Sequence, residues 1–185
     1  MKTTLFRPYL AAVLFVAPLL LAGCGNDDEP EPDDENELIT TVRYTLTPTT
    51  GGGQAVTVEW KDLDGAGGNA PTIGTLRLAP NTTYTGALSF LDESKNPAGN
   101  ITAEVQAEND EHLVVYTPAP ANLLTVTRTD RDKNNLEVGL ATRVQTTTAA
   151  TGTLKVVLRH QPDNKNGQPD LGSTDADVTF PVTVQ

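Results

Sequence analysis

The chain is predicted to be all-β: a two-layer antiparallel β-sandwich, immunoglobulin-like in the loose sense, with about nine strands and at most one short helix. Three observations carry this. From residue 39 onward Thr alternates with Val and Leu at period two, the pattern of strands with one buried face. Clusters of Gly, Asn, Asp and Pro interrupt that alternation at short intervals. The only cysteine, Cys24, lies before this region, so packing rather than a disulfide framework must hold the domain.

The elements follow in order. Val42, Tyr44 and Leu46 alternate with Thr41, Arg43 and Thr45. Val56, Val58 and Trp60 alternate with Thr57 and Glu59. A third strand is expected over residues 73–78, and Tyr84, Leu88 and Phe90 mark a fourth. Leu113 to Tyr116 reads as a short fifth, and Leu124 and Val126 mark a sixth. Leu136, Val138, Leu140 and Val144 suggest a long seventh. Leu154, Val156 and Leu158 alternate with Lys155 and Arg159 in an eighth. Val178, Phe180, Val182 and Val184 close the chain. Pro181, on their other face, cannot donate to a ladder and predicts that this last strand is an edge or carries a bulge. The one departure is residues 101–108, where a short helix is expected with Asn100 as its cap. Turn clusters fall at residues 49–53, 64–71, 96–100, 130–135 and 163–172. Nine short strands with frequent turns suit a sandwich. Trp60, Tyr44, Phe90 and Phe180 fall in phase with aliphatic neighbours and are expected in the core; Tyr116 is open between core and surface.

The first residues have a different character. Lys2 and Arg7 precede an apolar run over residues 10–22, followed by the small residues of Leu21-Ala22-Gly23-Cys24. A charged start, an apolar middle and a small-residue cut site make a secretory signal. The run is short for a spanning helix. The cysteine directly after Leu-Ala-Gly resembles a bacterial lipobox, which implies that Cys24 is acylated and becomes the first mature residue. The alternative is an ordinary signal peptide with a chance cysteine. Residues 24–38 carry eight acids and no base, with nothing to bury until Leu38, and are expected to be an extended tether. Three regions follow: 1–23 signal peptide, 24–38 acidic tether, 39–185 β-sandwich domain. The chain carries a formal net charge of −11, which makes nucleic acid an unsuitable partner.

Several candidate constellations carry chemistry. Catalysis is not expected: the sole thiol is committed to acylation, no Gly-x-Ser-x-Gly elbow occurs, and only two histidines are available as bases. Paired carboxylates leave a hydrolase as a third and weaker reading. His112 follows Asp110 and Glu111 at a strand start, and His160 continues the core-facing phase of Leu154, Val156 and Leu158. Strand ends cluster in a sandwich. These four residues are therefore a candidate zinc or copper set, since imidazole suits both metals. The alternative is two isolated histidines, one capping the core and one exposed. Asp62, Asp64 and Asn69 lie in Asp-Leu-Asp-Gly-Ala-Gly-Gly-Asn, which shares its Asp-x-Asp-Gly start with calcium loops. It lacks a placed bidentate acid, and Asp, Asn and Gly also simply make turns. Loops 130–135 and 163–170 share that composition and that turn reading.

Short runs along the domain carry a resemblance: Leu38-Ile39-Thr40-Thr41-Val42, Asp62-Leu63-Asp64-Gly65, Asn81-Thr82-Thr83-Tyr84-Thr85-Gly86, Asn100-Ile101-Thr102-Ala103-Glu104-Val105, Asp110-Glu111-His112, Thr151-Gly152-Thr153-Leu154 and Leu158-Arg159-His160-Gln161-Pro162. In this order and spacing they resemble a family of small Bacteroidota outer-membrane lipoproteins, often called type 1 periplasmic binding fold proteins. Chains of that fold are two-lobed with βα alternation, whereas the pattern here is strand throughout. Acids directly after the acylated cysteine resemble the surface-export signal of such lipoproteins, which implies an outer-membrane lipid anchor facing the cell exterior; a periplasm-facing anchor is the alternative. The resemblance further implies a non-catalytic binding or accessory module beside an outer-membrane receptor, in TonB-dependent nutrient or metal uptake. A structural or adhesive cell-surface protein is the rival reading.

Overall fold

The structure, a computed structural model, describes residues 38–65 and 67–185. The expected signal peptide, Cys24 and the tether up to residue 37 lie outside the described residues. The domain runs through β1 (Thr41–Pro48), β2 (Val56–Lys61), β3 (Thr72–Ile73), β4 (Leu76–Leu78), β5 (Thr83–Leu91), α1 (Ile101–Ala107), β6 (His112–Ala119), β7 (Leu124–Arg128), β8 (Ala141–Thr146), β9 (Ala150–His160) and β10 (Ser173–Val184). One sheet has the order β3-β2-β1-β5-β8-β7, the other β4-β10-β9-β6. The chain is an all-β sandwich of these two layers, antiparallel except where β4 pairs with β10 in parallel.

Period-two alternation fills the space between the layers. Val42, Tyr44 and Leu46 of β1 are fully buried, as are Phe90 of β5 and Val144 of β8. They meet Leu154, Val156 and Leu158 of β9 and Val178, Phe180, Val182 and Val184 of β10 in one core. The Tyr44 and Tyr116 rings lie 5.7 Å apart, which places Tyr116 against the core. Both hydroxyls are satisfied: Tyr44 shares a hydrogen bond of 2.6 Å with Thr142, and Tyr116 donates to the Gly139 carbonyl at 2.7 Å. Burial pushes both phenols above their ordinary range. Trp60 packs on the core but stays half-buried.

Several strand expectations need correction. The single strand expected over 73–78 is two strands in different sheets. Gly74 makes the break: its N–H donates to the Glu59 carbonyl at 2.8 Å, and a Cβ there would approach Val58 Cγ2 to 3.0 Å. The long seventh strand is only β8, because Gly139 takes a φ of +105°. The Asp130 carboxylate accepts hydrogen bonds from Gly139 N and Leu140 N, both at 2.8 Å, in place of a ladder. β10 is an interior strand where β4 flanks it. The N–H groups in phase with Gln185 N face β4, and that pairing begins only at Val182, so Pro181 turns its nitrogen to a place beyond the start of β4 and leaves the ladder with β9 intact. The strand does carry a bulge, as the proline reading allowed, at Asp175 between Thr174 and Ala176.

The short helix is present as Ile101–Ala107, with Asn100 at the N-cap position. Asn100 makes no side-chain cap hydrogen bond. Thr102 anchors the helix instead: its hydroxyl accepts from Phe90 N at 2.8 Å and donates to Phe90 O at 3.0 Å. β8 stops pairing with β5 at Ala87; beyond that point Leu88 N donates to the Leu140 carbonyl, and Thr102 satisfies both backbone groups of Phe90.

Candidate functional site

His112 and His160 are direct cross-strand partners, the first residue of β6 opposite the last of β9. Their phase follows from the sequence. Tyr116, Val114 and His112 face Val156, Leu158 and His160 in register, so both imidazoles lie on the core side of the four-stranded sheet at its end. The rings stack with centroids 4.8 Å apart and planes 9° from parallel. His112 is buried, and His160 keeps 20% of its side chain exposed.

The turn after α1 sets the proton on His112. Its Nδ1 lies 3.0 Å from the Glu108 carbonyl oxygen, four residues earlier. A carbonyl only accepts, so Nδ1 carries the hydrogen and Nε2 of the neutral ring keeps its lone pair. Burial pushes the His112 pKa below its ordinary value, although the Glu108 carbonyl opposes this. Asp175 Oδ2 lies 3.7 Å from Nε2, too far for a hydrogen bond. The Asp175 side chain is 7% exposed, and its Oδ1 is buried with no hydrogen-bond partner among the described residues. Burial pushes the Asp175 pKa up. The β10 bulge at Asp175 is what places this carboxylate beside the histidines. On the other ring, His160 Nε2 lies 3.6 Å from Glu111 Oε2. Among the described residues, the Glu108 carboxylate and the two imidazoles form the group whose ligand atoms all lie within 4.8 Å of one another. The arrangement thus brings two imidazoles and a carboxylate within reach of one another at one strand end.

A buried ion pair holds this end together. Lys165, between β9 and β10, puts Nζ 2.8 Å from Asp132 Oδ2 and donates to the Asn109 carbonyl at 2.7 Å. It therefore ties the segments 130–135 and 161–172 to the turn that carries Glu108 and Glu111. Gln161 N donates to the Glu111 carbonyl at 2.6 Å, and Gln161 Nε2 bonds the carbonyls of Gln168 and Leu171.

The other sequence-derived candidates are placed as follows. Glu111 joins the histidine cluster. Asp110 does not: it pairs with Lys133 at 2.6 Å, which holds its carboxyl below the usual range. Asp62 Oδ1 accepts from Gly65 N at 3.0 Å. Asp64 Oδ2 accepts from both Asn69 N and Asn69 Nδ2, at 2.9 and 2.6 Å. These bonds close a turn within residues 62–69. Glu108 and Asp175 were not singled out from sequence. The four-residue spacing of Glu108 from His112 was the available sign for the first; the bulge that turns Asp175 inward leaves none. A separate open groove of about 680 Å³ runs beside α1, lined by Arg43, Ser89, Thr102, Gln106, Asp130 and Leu140 among others.

No protein-family model matches the chain, no curated protein matches it, and no solved structure matches its fold. Among the described residues, no helix is long and apolar enough to cross a membrane.

Proposed function

We propose that the chain is a non-catalytic binding module, held by a lipid on Cys24 at the outer membrane and displayed to the cell exterior, where it assists TonB-dependent capture of a nutrient or metal. The observation that carries the binding role is the stacked His112–His160 pair beside the buried Asp175 carboxylate. A strand end that only had to cap a core would be better served by apolar side chains, since buried polar groups cost energy unless partnered. The anchor rests on Leu21-Ala22-Gly23-Cys24 and the acids that follow, and the accessory role on the resemblance those residues carry.

Labelling and surface digestion test the setting. Incorporation of labelled palmitate that C24A abolishes is expected, as is release of the domain from intact cells by added protease. An unlabelled protein overturns the anchor, and a labelled but protease-shielded one overturns the outward face. Deletion of the gene is expected to slow growth on a scarce nutrient or metal and to leave attachment to surfaces unchanged. The opposite outcome replaces the binding role with an adhesive one.

A further inference from the structure

We propose that His112, His160 and Glu108 bind one divalent transition ion of the zinc or copper class, with Asp175 as the buried counter-charge beside it. The inference deepens the binding-module reading and rests on it for the ion's role in the cell.

The donor chemistry points to this class. Two imidazoles and a carboxylate are a common first shell for zinc, and imidazole suits copper as well. Hard ions such as calcium prefer six to eight oxygens, which the cluster does not supply. His112 already has the outer contact that metal-bound histidines show: its Nδ1 donates to a backbone carbonyl, which fixes the tautomer and leaves Nε2 as the nitrogen with a free lone pair. Asp175 supplies negative charge where Oδ1 has no other partner.

The geometry also states what must move. Zinc–nitrogen bonds of about 2.0–2.1 Å put two tetrahedral ligands roughly 3.3 Å apart. The donor atoms lie within 4.8 Å, so they close by up to about 1.5 Å. Nearly parallel rings aim their lone pairs in parallel, so one ring must turn. His112 is held by Glu108 and by burial; His160, at the exposed end, is the one that swings. Glu108 is exposed and follows it. Ion binding therefore unstacks the pair.

The test uses the purified full chain, stripped with chelator and titrated with zinc chloride or copper sulfate. Calorimetry is expected to show one equivalent bound. H160A should weaken binding at least tenfold. D175N, which keeps all three ligands, should weaken it by about 10- to 100-fold. Histidine ring proton shifts should lose their stacking contribution when zinc is added. H112Q should bind as poorly as H160A; because His112 is buried, its fold is checked by circular dichroism, and H160A decides alone if H112Q does not fold. No saturable binding, or binding that H160A leaves unchanged, overturns the site. A lipidated, surface-exposed chain that binds no ion loses the site and keeps the module. A chain that binds the ion without lipid or exposure keeps the site and loses its setting.

Discussion

Lys165 places its ammonium 2.8 Å from Asp132 Oδ2, and neither side chain keeps more than 1% of its surface exposed. The pair is buried on both sides, and Asp132 Oδ1 also accepts from the backbone N–H groups of Asn134 and Leu136, at 2.8 and 2.9 Å. Removing one partner leaves a charge stranded in a poor solvent. K165M and D132N are each expected to destabilise the domain by about 3–5 kcal/mol in urea unfolding. The double variant D132N/K165M should lose less than the sum of the two. Strict additivity would show that the pair contributes no coupling.

The same pair sets an acid limit. Burial alone would raise the Asp132 pKa, but Lys165 and the backbone N–H groups outweigh it and hold it below the ordinary 3.8. As pH falls, the unfolded chain takes up this proton before the folded chain does. The stability from Asp132 is thus complete above pH 3.8 and lost as pH falls through the folded value. The gap in urea midpoint between native chain and D132N should narrow below that pH. A gap constant down to pH 2 would contradict this.

Gly86 lies in β5 between Leu46 of β1 and Thr142 of β8. A Cβ there would collide with Thr142 Oγ1 and come within 2.8 Å of both Leu46 Cδ2 and the Tyr44 hydroxyl. G86A is expected to cost about 1–3 kcal/mol by overpacking and to break the Tyr44–Thr142 hydrogen bond. T142A should offset part of that loss when combined with it, as a double-mutant cycle would reveal.

Thr102 fastens α1 to Phe90, and the turn after α1 orients His112 through the Glu108 carbonyl. T102V keeps the shape and deletes the hydroxyl, leaving both Phe90 backbone groups without it. The expected cost is about 1–3 kcal/mol. Amide exchange over residues 101–107 should quicken more than exchange in β9. Equal change in both would mean the hydroxyl stabilises the fold as a whole rather than the helix.

Zinc at about 100 times its dissociation constant should stabilise the native state by about 2.7 kcal/mol. For a domain of this size that raises the melting temperature by roughly 5–10 °C. H160A should abolish the rise. Calcium at the same concentration is expected to leave the melt unchanged, because the Asp64 oxygen nearest Asn69 already takes both of its N–H groups. A melt that rises with calcium and not with zinc would move the metal site to residues 62–69.

The strand phases were legible because period two is local. Val42, Tyr44 and Leu46 declare a common face without reference to any other residue, and the same logic put His160 on the core side. The division of residues 72–78 between two sheets was not legible, because it depends on how Gly74 meets Val58 and Glu59. Nor was the end of the seventh strand, where Asp130 reaches across to Gly139 and Leu140. At the site, the strand phases bring His112 and His160 to one strand end, while Asp110, two residues before His112, pairs instead with Lys133 of a loop distant in sequence. Asp175 was hidden for a sharper reason. Read back from Val178, strict alternation turns it outward, and only the bulge turns it in.

The attachment of α1 to Phe90 has a practical consequence for handling the protein. Phe90 neighbours Leu91, the register partner of Thr41, so the helix docks where the backbone enters the sandwich. It then leads straight to His112. The imidazole pair and the entry point therefore share one pole. β10 leaves from Ser173, opposite His160, and finishes at Val184, opposite Ala150, about 35 Å away at 3.3 Å per residue. An affinity tag or fluorophore appended after Gln185 would stand at the far pole, clear of the imidazoles. A polyhistidine sequence would itself take up zinc or copper, so a tag without histidine suits metal titrations of this chain.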